Sequence, residues 1–559
     1  MGGALPAQVD WRNYRGWPWI TPPRNQRPCK ACTAFATVAL VESMVRIEHA
    51  VWCARSEGDL HGRAGGRCKD FENVFRVAAA AIFDGIADPD CFRWQGEATG
   101  APPLPYAPTR DRAGRVVRTA LPWILQDFDN CRVWLATVGP LLAFFELYED
   151  LYAYGSGCYK HITGDFKGFH AVLIVGYDDL DGCWIAKNSW YKDDGTLWGD
   201  QGFFKIAYGE CRIDQLPKLG LRGTNPDPWT KRRLHNGCLL ESGNGSSHRD
   251  FELFYLKSGQ VRHRRRENST APFSWQSVGQ FATPDAATMP AATASTYNRD
   301  FELVYRRTAA SGGGLHHWRF SQTSRKWVDG GIFGPSNAAS VPGFIQSNHN
   351  APGDFEVVVK TASTGPVQQL SHWTRENGYT STRPRGTWYP QESFGSNVAA
   401  SGPALVQSHV GITELPENGL GRLEVVCVLN DGFMEHFSRA PGPGASWQSE
   451  GTFGEGGAHG PPCMIEGQFN CPNEWSLGDF ELCVAVGDQF QHWRWSDPPG
   501  PGARSWNREH TYGSNVKEVV ALIESSFTFQ LELIVLRTDD RLQHYWRAGA
   551  GWHAGDILP

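Results

Sequence analysis

Two cysteines three residues apart raise the first chemical question: Cys29 and Cys32, in N-Q-R-P-C-K-A-C-T-A-F at 25–35. A C-x-x-C can be a redox pair, half of a zinc site, or two sulfurs with different tasks. No second Cys pair stands at finger-like spacing and no thioredoxin-like βαβ context surrounds it, which removes the first two readings. A nucleophilic cysteine must be a thiolate. A nearby His can take its proton, and a helix N-terminus favours the anion. His170, in G-F-H-A-V-L-I-V-G-Y, opens an expected strand. Asn188, in K-N-S-W and 18 residues on, ends the next one. Antiparallel neighbours would set them side by side, the Asn188 amide oxygen accepting the ring N–H. Trp190 would shield that bond from water. Gln26 offers a side-chain N–H which, with the Cys32 backbone N–H, would form an oxyanion hole. The set calls for no metal and no cofactor.

These residues need elements to hold them. After Cys32, T-A-F-A-T-V-A-L-V-E-S-M-V-R-I-E-H predicts a helix, apolar on most sides at its start. Such a helix is buried, and its positive end faces the Cys32 sulfur. From Phe169 on, F-H-A-V-L-I-V-G-Y, C-W-I-A-K-N-S-W and G-F-F-K-I-A-Y read as strands, β-branched and aromatic between Gly and Asp. The stretch L-P-K-L-G-L-R-G-T-N-P-D-P-W-T at 216–230, rich in Pro and Gly and without period, reads as a linker.

Four motifs in order resemble papain-type cysteine peptidases: V-D-W-R at 9–12, N-Q-x-x-C-x-x-C-x-A-F at 25–35, H-A-V-x-x-V-G-Y at 170–177, and K-N-S-W with a later W-G at 187–199. The segment G-P-L-L-A-F-F-E-L-Y-E-D-L-Y-A-Y-G-S-G-C-Y at 139–159 is similar to the family's stretch ahead of its catalytic His. The resemblance covers about 1–215. It implies a two-lobed α+β fold, Cys32 on the helical lobe and His170 with Asn188 on the β lobe. Extended substrate would lie between them, with Trp190 in the cleft and Gly65 and Gly66 offering backbone hydrogen bonds. It also implies that Cys29 is bridged, to Cys68 or Cys53. The chain departs from the family in having Thr33 where Trp is usual, Lys30-Ala31 for Gly-Ser, Cys68 after rather than before the Gly pair, and an inserted Y-K-D-D-G-T-L. No inhibitory prosegment precedes V-D-W-R, so control lies elsewhere or this is the mature form.

Beyond the linker the sequence repeats. D-F-E-L, D-F-E-V, R-L-E-V and Q-L-E-L place Glu252, Glu302, Glu356, Glu424, Glu481 and Glu532 at intervals of 50, 54, 68, 57 and 51 residues. Each Glu is followed by a His (His263, His317, His372, His436, His492, His544), then a Trp (Trp275, Trp327, Trp388, Trp447, Trp506, Trp552). Most copies close with an aromatic-Gly pair such as Phe333-Gly334. Four strands per unit at this period predict propeller blades, six by count, with a seventh left open. The Phe or Leu before each Glu and the Trp are expected between blades. The recurring Glu and His are expected to satisfy each other as buried polar groups. A metal role is disfavoured because the His residues are spread one to a blade. The repeats with F-G-S-N-V resemble the Photorhabdus-lectin type of β-propeller, which implies sugar sites in or between blades, without naming a residue here.

The expected organisation is therefore a papain-like protease domain at 1–222, a linker at 223–230 and a lectin-like all-β propeller at 231–559. The expected function is a cysteine endopeptidase acting on protein or peptide, directed by a glycan-binding propeller to glycosylated surfaces, in a defence or toxin role. The alternatives are a non-enzymatic lectin with the first domain as scaffold, or a protease whose propeller binds protein or gates the cleft. The net charge is −6 and no Lys/Arg run stands out, which argues against nucleic acid. Apolar runs such as Val77–Phe83 are too short to span a bilayer. The 14 cysteines favour an oxidising, secreted or extracellular setting, although the first residues do not read as a signal peptide. Two sequons, at Asn244 and Asn268, are permissive.

Overall fold

The computed structural model describes residues 5–14, 18–49, 51–70, 72–89, 91–94, 105–108, 112–114, 116–226, 234–242, 250–268, 270–295, 300–321, 323–347, 349, 353–362, 367–377, 383–410, 421–442, 444–468, 471, 478–497, 503–527, 530–549 and 551–559. They form two compact units, one holding the residues through 226 and the other those from 234 on.

The first unit is α+β. Its longest helix, Cys32–His49, buries sixteen of its eighteen residues, which accounts for a sequence apolar nearly all round. Short helices Glu57–Arg63 and Val74–Ala79 follow, each N-capped by its own side chain, Ser56 and Asn73. An eight-stranded sheet carries most of the rest, beside a three-stranded sheet of Ile86–Ala87, Val116–Thr119 and Thr224–Asn225. The longest strand of the larger sheet, Phe166–Asp178, pairs antiparallel with Leu141–Tyr148 on one side and Cys183–Lys187 on the other. Gln8–Asp10, which overlaps the start of V-D-W-R, pairs with the same strand, and the Trp11 indole N–H donates to the Leu135 carbonyl at 2.9 Å. The strand expected to open at His170 begins four residues earlier, because its pairing with Leu141–Tyr148 runs back to Phe166.

Part of the stretch read as a linker is paired into the first unit. Lys218–Gly220 lies between Trp123–Leu125 and Leu141–Tyr148, and Thr224–Asn225 pairs with Val116–Thr119. Leu221 is buried there, Gly223 lies in the turn between the two short strands, and Pro217 and Pro226 flank them. Residues 227–230 lie outside the described residues. Among the described residues no helix is long and apolar enough to cross a membrane.

The second unit consists of antiparallel sheets over 239–282, 291–333, 343–394, 398–453, 458–512 and 516–558. Each is a four-stranded meander, and the last gains a fifth strand, His235–Gly237, from the start of the unit. One sheet cannot bury both faces, and each shares a core with the next. The residue before each repeated Glu sits in these cores: Phe301, Phe355, Leu423, Phe480 and Leu531 against the preceding sheet, and Phe251 against the last one. The aromatic-Gly motif gains a role that the repeat alone does not reveal. Phe333 stacks on Trp388 at 3.9 Å, Phe394 on Trp447 at 4.4 Å and Phe453 on Trp506 at 4.5 Å, each across to the next sheet.

The repeated Glu and His pair within every sheet. The Nε2–O distances are 2.5 Å (His263–Glu252), 2.8 Å (His317–Glu302), 2.8 Å (His372–Glu356), 3.1 Å (His436–Glu424), 2.6 Å (His492–Glu481) and 2.7 Å (His544–Glu532). The register explains the pairing. Glu252 stands opposite Arg265, and His263 lies two residues along on the same face. All twelve side chains are buried, so each Glu and His gives the other a hydrogen-bond partner in the core, as expected. Asn268, of the second sequon, is fully buried too, so the folded chain offers it no access for modification. The sequon at 244–246 lies outside the described residues.

Candidate active site

Cys32 is the first residue of its helix and is buried. The four leading N–H groups of a helix lack internal partners, and they give this end a partial positive charge. One of them is already taken: the Ala34 N–H donates to Glu72 Oε2 at 2.7 Å. Glu72 also accepts from His61 Nδ1 at 2.6 Å. Sequence reasoning missed Glu72, since a side chain arriving from 38 residues away leaves no local capping signal.

His170 is buried on the long strand, and Asn188 follows directly after the strand Cys183–Lys187. His170 Nε2 and Asn188 Oδ1 are 2.8 Å apart. An amide oxygen only accepts, so Nε2 carries the proton and Nδ1 is left as the basic nitrogen. The Trp190 ring stacks on the imidazole at 4.5 Å and 23°, and meets Trp198 edge-on at 5.3 Å. The inserted Y-K-D-D-G-T-L does not disturb this, because Tyr191 and Leu197 bridge and return the chain to Trp198. Burial pushes the His170 pKa down to about 4, the Asn188 bond opposing and the Arg27 charge adding to the fall. Burial pushes the Cys32 thiol up to about 11. The Ala171 backbone and the Thr33 hydroxyl pull it down, and the Glu72 charge raises it.

Gln26 is also buried. Its Nε2 donates to the Cys29 carbonyl at 2.8 Å, and its Oε1 accepts from the Ser189 hydroxyl at 2.6 Å. Ser189 thus ties the nucleophile's loop to the segment that carries Asn188, a role that the sequence does not announce. Beneath the helix, Glu42 accepts from Thr21 at 2.7 Å and Arg24 at 2.9 Å, and Lys187 donates to Thr21 at 3.0 Å. This buried network joins the helix to the residue before Asn188.

Cys29 is bonded to Cys68, one of the two partners expected for it. A second disulfide joins Cys158 and Cys183. Gly65 and Gly66 lie in the turn that ends the helix Glu57–Arg63, with the Gly66 N–H donating to the His61 carbonyl at 2.8 Å. Gly65 has φ +71°, and a Cβ on Gly66 would stand 2.4 Å from the His61 ring, so backbone conformation calls for the first glycine and close packing for the second.

Residues 5–220 match the family described as papain family cysteine protease. Pro-cathepsin H of Mus musculus is 31% identical over 225 residues, which is 37% of this chain and 62% of that protein. A gut-specific cysteine proteinase of Caenorhabditis elegans is 46% identical over 230 residues, 35% of this chain and 67% of that protein. The solved proCathepsin B S9 from Trypanosoma congolense is 28% identical with a TM-score of 0.34, covering 39% of this chain and 78% of that one. The α+β frame at residues 5–220 is therefore that of a papain family cysteine protease domain. Through this first unit the chain belongs to the papain family. It spans roughly three-fifths to two-thirds of the two curated relatives named, 62% and 67% of their lengths.

Proposed function

We propose that the chain is a cysteine endopeptidase with Cys32 as nucleophile, His170 as general base and acid, Asn188 as the residue that orients His170, and Gln26 in the oxyanion hole. The observation that carries this reading is the His170–Asn188 bond of 2.8 Å under Trp190. It fixes the tautomer that leaves Nδ1 basic. Cys32 passes its S–H proton to Nδ1 and attacks the substrate carbonyl carbon, and the carbonyl π pair moves to oxygen. The Cys32 backbone N–H and the second Gln26 Nε2–H receive that oxyanion. Collapse expels the amine, which takes the proton from His170 and leaves a thioester. Water, deprotonated by His170, then releases the acid and restores the thiol. Burial disfavours each ionisation taken singly. Proton transfer within the pair creates both charges together, beside a helix N-terminus, and their attraction offsets much of that cost.

For the second unit we propose a closed six-bladed propeller at 231–559, joined by a linker at 223–230 whose first part is folded onto the protease domain at 1–222. Support for closure comes from the pairing of His235–Gly237 with Val516–Glu524, the core shared by the first and last sheets, and two 2.8 Å bonds from Ser526 to Glu241. A glycan-binding role, on a secreted protein, rests on narrower support. In the second sheet Asp285 accepts from Tyr305 at 2.9 Å and Arg307 at 2.8 Å, and His316 bridges it to the exposed Asp329 at 3.0 Å. Half-buried Trp318 lies beside them, its indole N–H on the Tyr305 hydroxyl at 3.1 Å. Fixed polar groups beside an aromatic face suit a sugar.

Labelling of the full chain with iodoacetamide tests the first reading. Cys32 is expected to react under mildly acidic to neutral conditions, and Cys32→Ala to abolish peptide cleavage. An unlabelled Cys32 sinks the enzyme. A glycan array on Cys32→Ala, with and without Asp329→Ala, tests the second.

A further inference from the structure

The N-Q-R-P-C loop puts a cation beside the site. The Arg27 guanidinium lies 5.1 Å from the Trp190 ring centroid and 5.5 Å from that of Tyr152. Those two rings are themselves 5.2 Å apart. The platform is firm. Trp190 stacks on His170, and the Tyr152 carbonyl accepts from the Trp198 indole at 2.9 Å. The Arg27 backbone N–H is taken by Asn25, but among the described residues no carboxylate forms an ion pair with its side chain. The acids of the Tyr152 turn are engaged elsewhere. Asp150 accepts from Tyr159, His161, Ile162 and Thr163, and Glu149 pairs with Lys167 at 3.4 Å. A cation–π platform holds a guanidinium in place without neutralising it.

The chemistry says which part of a substrate this cation meets. The general acid must stand at the leaving nitrogen, so the departing, C-terminal half of the substrate lies on the His170 side of the scissile bond. Trp190 stacks on His170, and Arg27 lies over Trp190. We infer that Arg27 is a specificity-determining residue, which selects peptides carrying a carboxylate within the first residues after the scissile bond, either an Asp or Glu side chain or a free C-terminus. This rests on the peptidase reading above. Arg is suited to it, since its planar fork can lie flat on the rings and still offer N–H groups to a carboxylate.

The test uses the full chain and paired fluorogenic peptides that differ only in Glu against Gln at the first or second position after the cleavage site. A third peptide ends two residues after that site, as the free acid or the amide, and separates a chain-end carboxylate from a side-chain one. The wild type is expected to favour the charged member in kcat/KM by about three- to tenfold at low salt, the preference shrinking as ionic strength rises. Arg27→Gln should bring the ratio to about one, and Arg27→Lys should keep part of it. Taking the ratio within one variant cancels any change in basal rate. Cleavage of the neutral peptides with a Glu:Gln ratio near one in the wild type, or a ratio unmoved by Arg27→Gln, overturns the assignment and leaves the peptidase reading standing. Failure of the wild type to cleave any of the peptides, with Cys32 unlabelled, overturns both.

Discussion

At the scale of single residues, Thr33 is where the nucleophile's surroundings leave the family pattern. It is buried in the first helical turn, and its hydroxyl pulls the Cys32 pKa down against burial and Glu72. Thr33→Val keeps the shape and removes that hydroxyl, so the thiol pKa should rise. Below the pKa the thiolate fraction follows the acid constant. The iodoacetamide alkylation rate of Cys32 at about pH 6 should therefore fall roughly two- to tenfold. The deficit should be constant at every pH below the pKa and close only as that pKa is approached, with Thr33→Ser restoring the rate. A Thr33→Val protein alkylated at the wild-type rate would show that the hydroxyl does not act on the sulfur. The catalytic candidates were legible because their chemistry demands particular residue types, and these stand in the order of the family that the sequence resembles. Glu72 and Ser189 were not, since each acts through one hydrogen bond made by a common residue type across a long sequence gap.

At the scale of elements, the repeated Glu turns a sheet of short strands into a specified register. Glu356 accepts from His372 at 2.8 Å, Thr374 at 2.6 Å and Ser347 at 3.0 Å, all buried. Glu356→Ala would strand three donors at once. Loss of one partner of a buried charged network costs about 3–5 kcal/mol, a large part of the stability of any domain. Urea unfolding should show that loss, while Glu356→Ala with His372→Ala together should cost less than the sum of the two. Strict additivity would mean that the pair does not couple. The repeat made these pairs legible, since the same two residue types at a recurring spacing point to one shared structural task. The linker reading has the opposite origin. Pro and Gly report turns, and the strands Lys218–Gly220 and Thr224–Asn225 are too short to display a period. What holds them is tertiary pairing with strands far away in sequence.

At the scale of the whole molecule, the buried carboxylates of the second unit set how the chain meets acid. Against the opposing effect of burial, Glu252 and Glu481 are held below the ordinary Glu value of 4.5 by hydrogen bonds from their His partners, and Glu356 by His349 first and then His372. A depressed carboxylate pKa contributes stability above its unfolded value, and that stability is lost as pH falls through the folded one. Between those limits the unfolded chain binds one more proton per group. Three such groups give a slope of up to about 4 kcal/mol per pH unit, at about 1.4 each. Asp250 and Glu518, raised by burial, oppose it over part of the range. The single-site difference is therefore the cleaner measurement. Glu356→Gln cannot take up a proton, so its unfolding free energy should fall less steeply below about pH 4.5, by up to about 1.4 kcal/mol per pH unit. Above pH 6 it should be the less stable protein, since the amide replaces a charge-assisted acceptor. The two curves must then converge toward acid. If urea midpoints across pH 3 to 7 run parallel for the two proteins, the acid response of the second unit does not come from its Glu–His pairs.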